Sequence, residues 1–171
     1  MKHSDGCTRP TKRESAKAGI ACFSERQDDL PMWSYYADAH RGVCLRFLTA
    51  HFWNPPLAGC FAPAPVTYGE YPIISFFRGS RFSHSTAMGW TKAECWEHER
   101  EWRILRHEGE PGLVPFDPAA LDGVIMGCRM SDEDEARVRD VLSRRDPRPE
   151  LLKARPAARE FKLVVEPVGG P

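Results

Sequence analysis

The chain has 171 residues, 42% of them apolar and 11% aromatic, which suits one domain with a single core and argues against wholesale disorder. Lys plus Arg equals Asp plus Glu at 24 each, so coating nucleic acid or an anionic membrane is not its main task, although a local basic groove stays open. No apolar run approaches the roughly 20 residues that cross a bilayer, and "MKHSDGCTRPTKRESAKAG" has no apolar core of a secretory signal.

Residues 1–18 read as a disordered basic arm, with Lys2, Arg9, Lys12, Arg13 and Lys17 set against Asp5 and Glu14. The domain is expected over 19–171. "GIACFS" predicts a short buried strand. In "DDLPMWSYYADAHRG", Asp28 and Asp29 suit the positive end of a helix, Pro31 suits its first turn and Gly42 can close it. Trp33, Tyr36, Ala37 and His40 then share one face. "GVCLRF" follows as a strand.

The proline-rich stretch "HFWNPPLAGCFAPAP" predicts an irregular packed loop, and "VTYGEYP" a short edge strand. "IISFF" fits strand or helix, and "RGSRFSHSTAMG" a loop. "TKAECWEHERE" reads as one or two helical turns. "EWRIL" then alternates, with Trp102 and Ile104 on one side and Glu101, Arg103 and Leu105 on the other. "HEGEPG" turns the chain, and "LDGVIMG" predicts a buried strand. Ser131 and Asp134 form a capping box that starts the helix "SDEDEARVRDVLSRR", with Val138, Val141 and Leu142 inward. "DPRP" ends it, and "ELLKA" and "EFKLVVEP" alternate as strands. The order gives an α+β fold in one domain, a mixed or antiparallel sheet with helices packed on it.

Three stretches, "ACFSERQDDLPMWSYYADAHRGVCLRF", "TKAECWEHEREWRIL" and "LDGVIMGCRMSDEDEARVRDVL", resemble a bacterial family of domains of unknown function, number 2971 (DUF2971). The resemblance runs from about residue 19 to 166. It carries the pattern M-W-x-x-Y-A-x-x-H-x-G-V-C and a K-x-x-x-W-x-x-E-x-E-W-R block. Members are similar in outline to the ADP-ribosyltransferase fold and occur among phage-defence and toxin-like proteins. The resemblance also implies a longer N-terminal segment, with a lysine- or histidine-tyrosine start and an N-D-P turn, which does not precede Gly19 here. A second chain supplying that segment is the corresponding expectation.

Through that resemblance the candidate chemistry is ADP-ribose transfer from NAD to an acceptor protein or nucleic acid. Such transfer needs a fixed carboxylate to bind the ribose 2′-hydroxyl and stabilise an oxocarbenium-like state. Glu101 would carry that role and Glu99 would orient the acceptor. Tyr36 or Tyr35 would stack on nicotinamide, and Ser24, His40 and Arg103 would hold polar parts of the dinucleotide. Read from the residues alone, Glu99 and Glu101 instead pair with Arg100, Arg103 or Lys92 on a surface; Trp33, Trp96 and Trp102 fill the core; and His40 is a helix cap or a satisfied core histidine.

Histidine spacing gives no metal motif, and no glycine-rich phosphate loop is present. All six cysteines (7, 22, 44, 60, 95 and 128) are expected as reduced thiols in a cytoplasm, with Cys22 and Cys44 buried. Arg144, Arg145, Arg148, Lys153, Arg155 and Arg159 form a candidate nucleic-acid groove, interrupted by Asp140, Asp146 and Glu150. Two functions therefore compete: an NAD-using transferase, and a non-catalytic module of the same fold that binds protein or nucleic acid. The first needs Glu101 to open onto a hollow; the second needs only an exposed patch.

Overall fold

The structure is a computed structural model that describes residues 19–53, 57, 59–70, 89–107 and 112–169. The arm at 1–18, "IISFF" and most of the loop after it, and most of "HEGEPG" lie outside the described residues. The fold is α+β, with strands in one mixed sheet, one antiparallel sheet and one short parallel pair.

The mixed sheet has the order β2-β7-β8-β9, built from Val43–Phe47, Leu121–Met126, Glu150–Pro156 and Leu163–Pro167. Strands β7 and β8 run parallel and the other neighbours antiparallel. Side chains alternate across the sheet, so each face carries its own apolar set. On one face Ile125, Leu152, Ala154 and Leu163 pack with Trp33 and Ala37 around helix α1 (Leu30–Tyr36). On the other, Leu121 and Val124 meet Leu142 of helix α3 (Asp132–Ser143), with Val138 and Leu151 alongside. Ser131 caps α3 by accepting a hydrogen bond from the Asp134 amide at 3.2 Å, as the capping box predicts. Val141 departs from expectation: it is 59% exposed, because the helix needs only a narrow stripe to cover this face.

The antiparallel sheet has the order β1-β6-β3, from Gly19–Ser24, Glu101–Arg106 and Ala64–Pro65. One face presents Phe23 and Ile104 to a second apolar cluster with Phe52 of helix α2 (Ala50–Trp53), Cys60 and Ala120. The opposite face carries Cys22, Ser24, Glu101 and Arg103, because Ser24 pairs with Glu101 and Cys22 with Arg103 across the strands. Strands β4 (Thr67–Tyr68) and β5 (Thr91–Lys92) form the short parallel pair beside it.

Two helical expectations change. Helix α1 stops at Tyr36 rather than running to Gly42, since Asp38, Ala39 and His40 all take left-handed backbone angles (φ 46°, 50° and 69°). The amides of two of them stay bonded: Ala39 N–H donates to the Ser34 carbonyl and His40 N–H to the Trp33 carbonyl. The helical turns expected of "TKAECWEHERE" are present as a 3-10 helix, Glu94–Glu99, but they start later than expected because Thr91–Lys92 forms β5.

Candidate functional site

The E-x-E sequence sits at a hinge. Glu99 ends the 3-10 helix, Arg100 is left-handed at φ 44°, and Glu101 opens β6. That single reversal turns both carboxylates inward, where their residues are 3% and 5% exposed. The hinge is tied to β1: the Ser24 hydroxyl donates to the Glu99 carbonyl at 2.6 Å, and the Glu25 amide donates to the Arg100 carbonyl at 3.2 Å. From β4, the Tyr68 hydroxyl accepts the Glu101 amide at 2.7 Å.

Lys92, delivered by β5, bridges the two acids, donating to Glu99 Oε2 at 2.5 Å and to Glu101 Oε2 at 2.7 Å. Arg103 donates from Nε to Glu101 Oε1 at 2.7 Å and from a terminal nitrogen to the Gly89 carbonyl at 2.6 Å. The Tyr36 hydroxyl reaches from the end of α1 to donate to Glu99 Oε1 at 3.0 Å. All four carboxylate oxygens are thus engaged, and two cations balance two anions. Unpaired, either charge would be costly at this depth; paired and hydrogen-bonded, both persist.

Electrostatics follow from these contacts. Burial would raise the Glu101 pKa, but hydrogen bonds from Arg103, Cys22 and Lys92, with the Arg103 charge, hold it at about 2. Desolvation and the hydrogen bond to Glu101 push the Cys22 thiol up to about 11, so Cys22 is a weak nucleophile. Cys22 is also exposed rather than buried as expected, since its side chain leaves the core face of β1. Tyr36 is raised by burial and by its bond to Glu99. For Lys92, burial pulls downward, but the hydrogen bonds to the two glutamates win and raise it.

Beside this cluster lies an open cleft of about 520 Å³, within the range of small-ligand sites. Its walls include Arg26, Tyr68, His98, Arg100, Glu101 and Trp102. On the α1 side, Tyr35 and Tyr36 are 66% and 65% exposed and Trp96 is 37% exposed.

Of the residues singled out in the sequence, Glu99, Glu101, Tyr36, Ser24 and Arg103 come together, and Tyr35 stands next to Tyr36 with ring centroids 6.4 Å apart. His40 does not join them. Its left-handed backbone turns it towards Ser34, 2.9 Å from Nε2, and its ring lies parallel to Trp33 in the core around α1. Trp33 fills that core as expected, whereas Trp96 is a surface residue. Sequence reasoning placed Lys92 only among possible surface partners and passed over Tyr68; the lysine in the "TKAECW" block, seven residues before Glu99, was the available signal.

Three of the six residues of the proposed basic groove are paired with acids: Arg144 with Asp140, Lys153 with Glu135, and Arg155 within 3.7 Å of Glu166. Among the described residues no group of three or more His, Cys, Asp or Glu side chains is gathered as a metal cage, and no helix is long and apolar enough to cross a membrane. No curated protein and no solved structure matches the chain. The family match is shorter than the motif resemblance and omits β7 onwards, yet it holds Tyr35, Tyr36, Tyr68, Lys92, Glu99, Glu101 and Arg103. Residues 32–104 of the chain match the family described as a protein of unknown function (DUF2971).

Proposed function

We propose that this chain is a protein-binding module in which Glu99 and Glu101 are a buried anchor and the exposed aromatic residues beside them face the partner. One observation carries the reading: every oxygen of the two carboxylates is taken by Lys92, Arg103 or Tyr36, while the rings of Tyr35 and Trp96 stand open to solvent. A ribose hydroxyl would have to share an oxygen with these donors on a residue that is only 5% exposed. The pairing of Arg144 and Lys153 with acids in the basic run around α3 and β8 favours a protein over a nucleic acid as partner.

A second reading keeps the chain as an NAD-using ADP-ribosyltransferase in a bacterial defence or toxin setting. It is favoured by the position of Glu101 on the wall of the 520 Å³ cleft, with Ser24 and Tyr36 bonded to the adjoining Glu99. In that reading a ribose hydroxyl shares an oxygen of Glu101 with Lys92 or Arg103. Incubation of the purified chain with NAD, alone and with candidate protein or RNA acceptors, separates the two. The module reading expects no nicotinamide release and a Glu101→Gln variant that is destabilised. Release by the wild-type chain that Glu101→Gln abolishes, while remaining folded, overturns the module and supports the transferase.

A further inference from the structure

Helix α1 leaves two adjacent tyrosines at its C-terminal end, and the 3-10 helix brings Trp96 against them. Tyr35 is the centre of this trio, with centroid distances of 6.4 Å to both neighbours and interplanar angles of 83° to Tyr36 and 68° to Trp96. Trp96 carries Lys92 over its ring and His98 at a centroid distance of 6.0 Å, so the open aromatic surface is mainly that of the more exposed Tyr35 and Tyr36. None of the three belongs to an apolar core cluster. An exposed aromatic group with a polar rim marks a recognition surface more often than a packing accident.

The rim has a sign. Glu94 and Glu97 flank Trp96 on the same 3-10 helix, both exposed, and neither makes an ion pair among the described residues. Lys92 already lies 5.2 Å from the Trp96 ring centroid, so the Trp96 face accepts an ammonium group here. That lysine's charge is spent on the buried glutamates, which leaves the two surface carboxylates uncompensated.

We infer that Tyr35, Tyr36 and Trp96, rimmed by Glu94 and Glu97, receive a cationic side chain, a guanidinium or ammonium group, from a partner protein. The inference rests on the module reading and specifies its partner. A guanidinium lies flat over Tyr35 or Tyr36 and turns its N–H edge to a carboxylate, gaining both ring attraction and a charged hydrogen bond. An oligonucleotide meets the same surface with the wrong charge.

The test uses a glycine–serine peptide carrying arginines, the same peptide with lysines, and the same peptide with citrulline, the neutral isostere of arginine. Binding to the intact chain is followed by calorimetry and by the indole N–H resonance of Trp96. The expected result is saturable binding of the arginine and lysine peptides, about tenfold tighter than the citrulline peptide and weakened by salt. Tyr35→Ala is expected to lose about tenfold in affinity, and the double change Glu94→Gln with Glu97→Gln about threefold, with unchanged thermal unfolding in both. The glutamine pair guards against a tyrosine variant that perturbs α1. Equal binding of the citrulline peptide, binding that survives both sets of substitutions, or no saturable binding of the arginine peptide overturns the inference. Nicotinamide release from NAD overturns the module reading instead, so the two failures are told apart.

Discussion

The two main sheets solve the burial problem in opposite ways. In β2-β7-β8-β9 the interior is purely apolar, and Ile125, Met126 and Ala154 are fully buried with no charge among them. In β1-β6-β3 one face is equally apolar around Phe23 and Ile104, but the other buries two glutamates against a lysine and an arginine. A buried ion cluster stabilises a fold no better than well-packed hydrophobes do, so stability alone does not explain it. The apolar sheet is the frame, and the charged face is where the chain has given up easy packing to fix particular groups in place.

The frame breaks most sharply at Gly127. A methyl group there meets the His40 carbonyl oxygen at 2.1 Å, in backbone that the left-handed turn holds against β7 through the Gly127-to-Gly42 and Arg129-to-His40 hydrogen bonds. Neither side is a flexible side chain, so the segments must separate. Gly127→Ala is expected to cost about 4 kcal/mol or more, read as a lower midpoint in urea unfolding.

The charged face breaks next. Glu101→Gln leaves Lys92 sharing Glu99 alone and Arg103 with no full carboxylate partner, a loss of about 3 kcal/mol by the same measurement. The variant with Glu101 and Arg103 both changed to methionine sharpens the comparison, because it leaves Lys92 paired with Glu99 and is expected to recover most of that loss. Were the double variant as unstable as the single, the cluster would be more than a paired burial.

The contrast between the sheets also governs what could be read in advance. Strands β1, β2, β7, β8 and β9 and helix α3 were legible because one apolar pattern and one cap each dictate them. The end of α1 was not: nothing in the composition of Asp38, Ala39 and His40 announces left-handed backbone, which contact with β7 imposes. At the site, Glu99, Glu101 and Arg103 were visible as neighbours in sequence. Lys92 and Tyr68 reach them only because a two-residue parallel pairing brings β4 beside β5. Pairings that short leave no period to detect.

Acid exposes the same asymmetry. Glu101 titrates at about 2 in the fold against an ordinary value of 4.5, so its folded-state pKa is depressed. Its contribution to stability is complete above about 4.5 and is lost as pH falls towards 2, with a slope approaching 1.4 kcal/mol per pH unit. Cys22 works at the other end: raised from 9.0 to about 11, it favours the fold below 9 and ceases to as pH climbs through 11. Unfolding curves across acid pH should therefore flatten in Glu101→Gln, while the alkaline limb flattens in Cys22→Ser.

The smallest effect comes from Ala39, at the centre of the left-handed turn with φ 50°. An L-residue there carries roughly 1–2 kcal/mol of steric cost that glycine lacks. Glycine in turn gains unfolded-state freedom worth about 0.5–1 kcal/mol, which opposes folding. The difference favours Ala39→Gly by about 0.5 kcal/mol, measured as a small rise in the thermal midpoint. Asp38 is a poorer choice, since its carboxylate pairs with Arg41 at 2.9 Å and that contact would vanish with the strain. A fall in the midpoint of Ala39→Gly would mean that the alanine methyl packs more than it strains. The turn would then belong with the apolar frame, as a packed corner, rather than standing as a conformation that the frame imposes on unsuited residues.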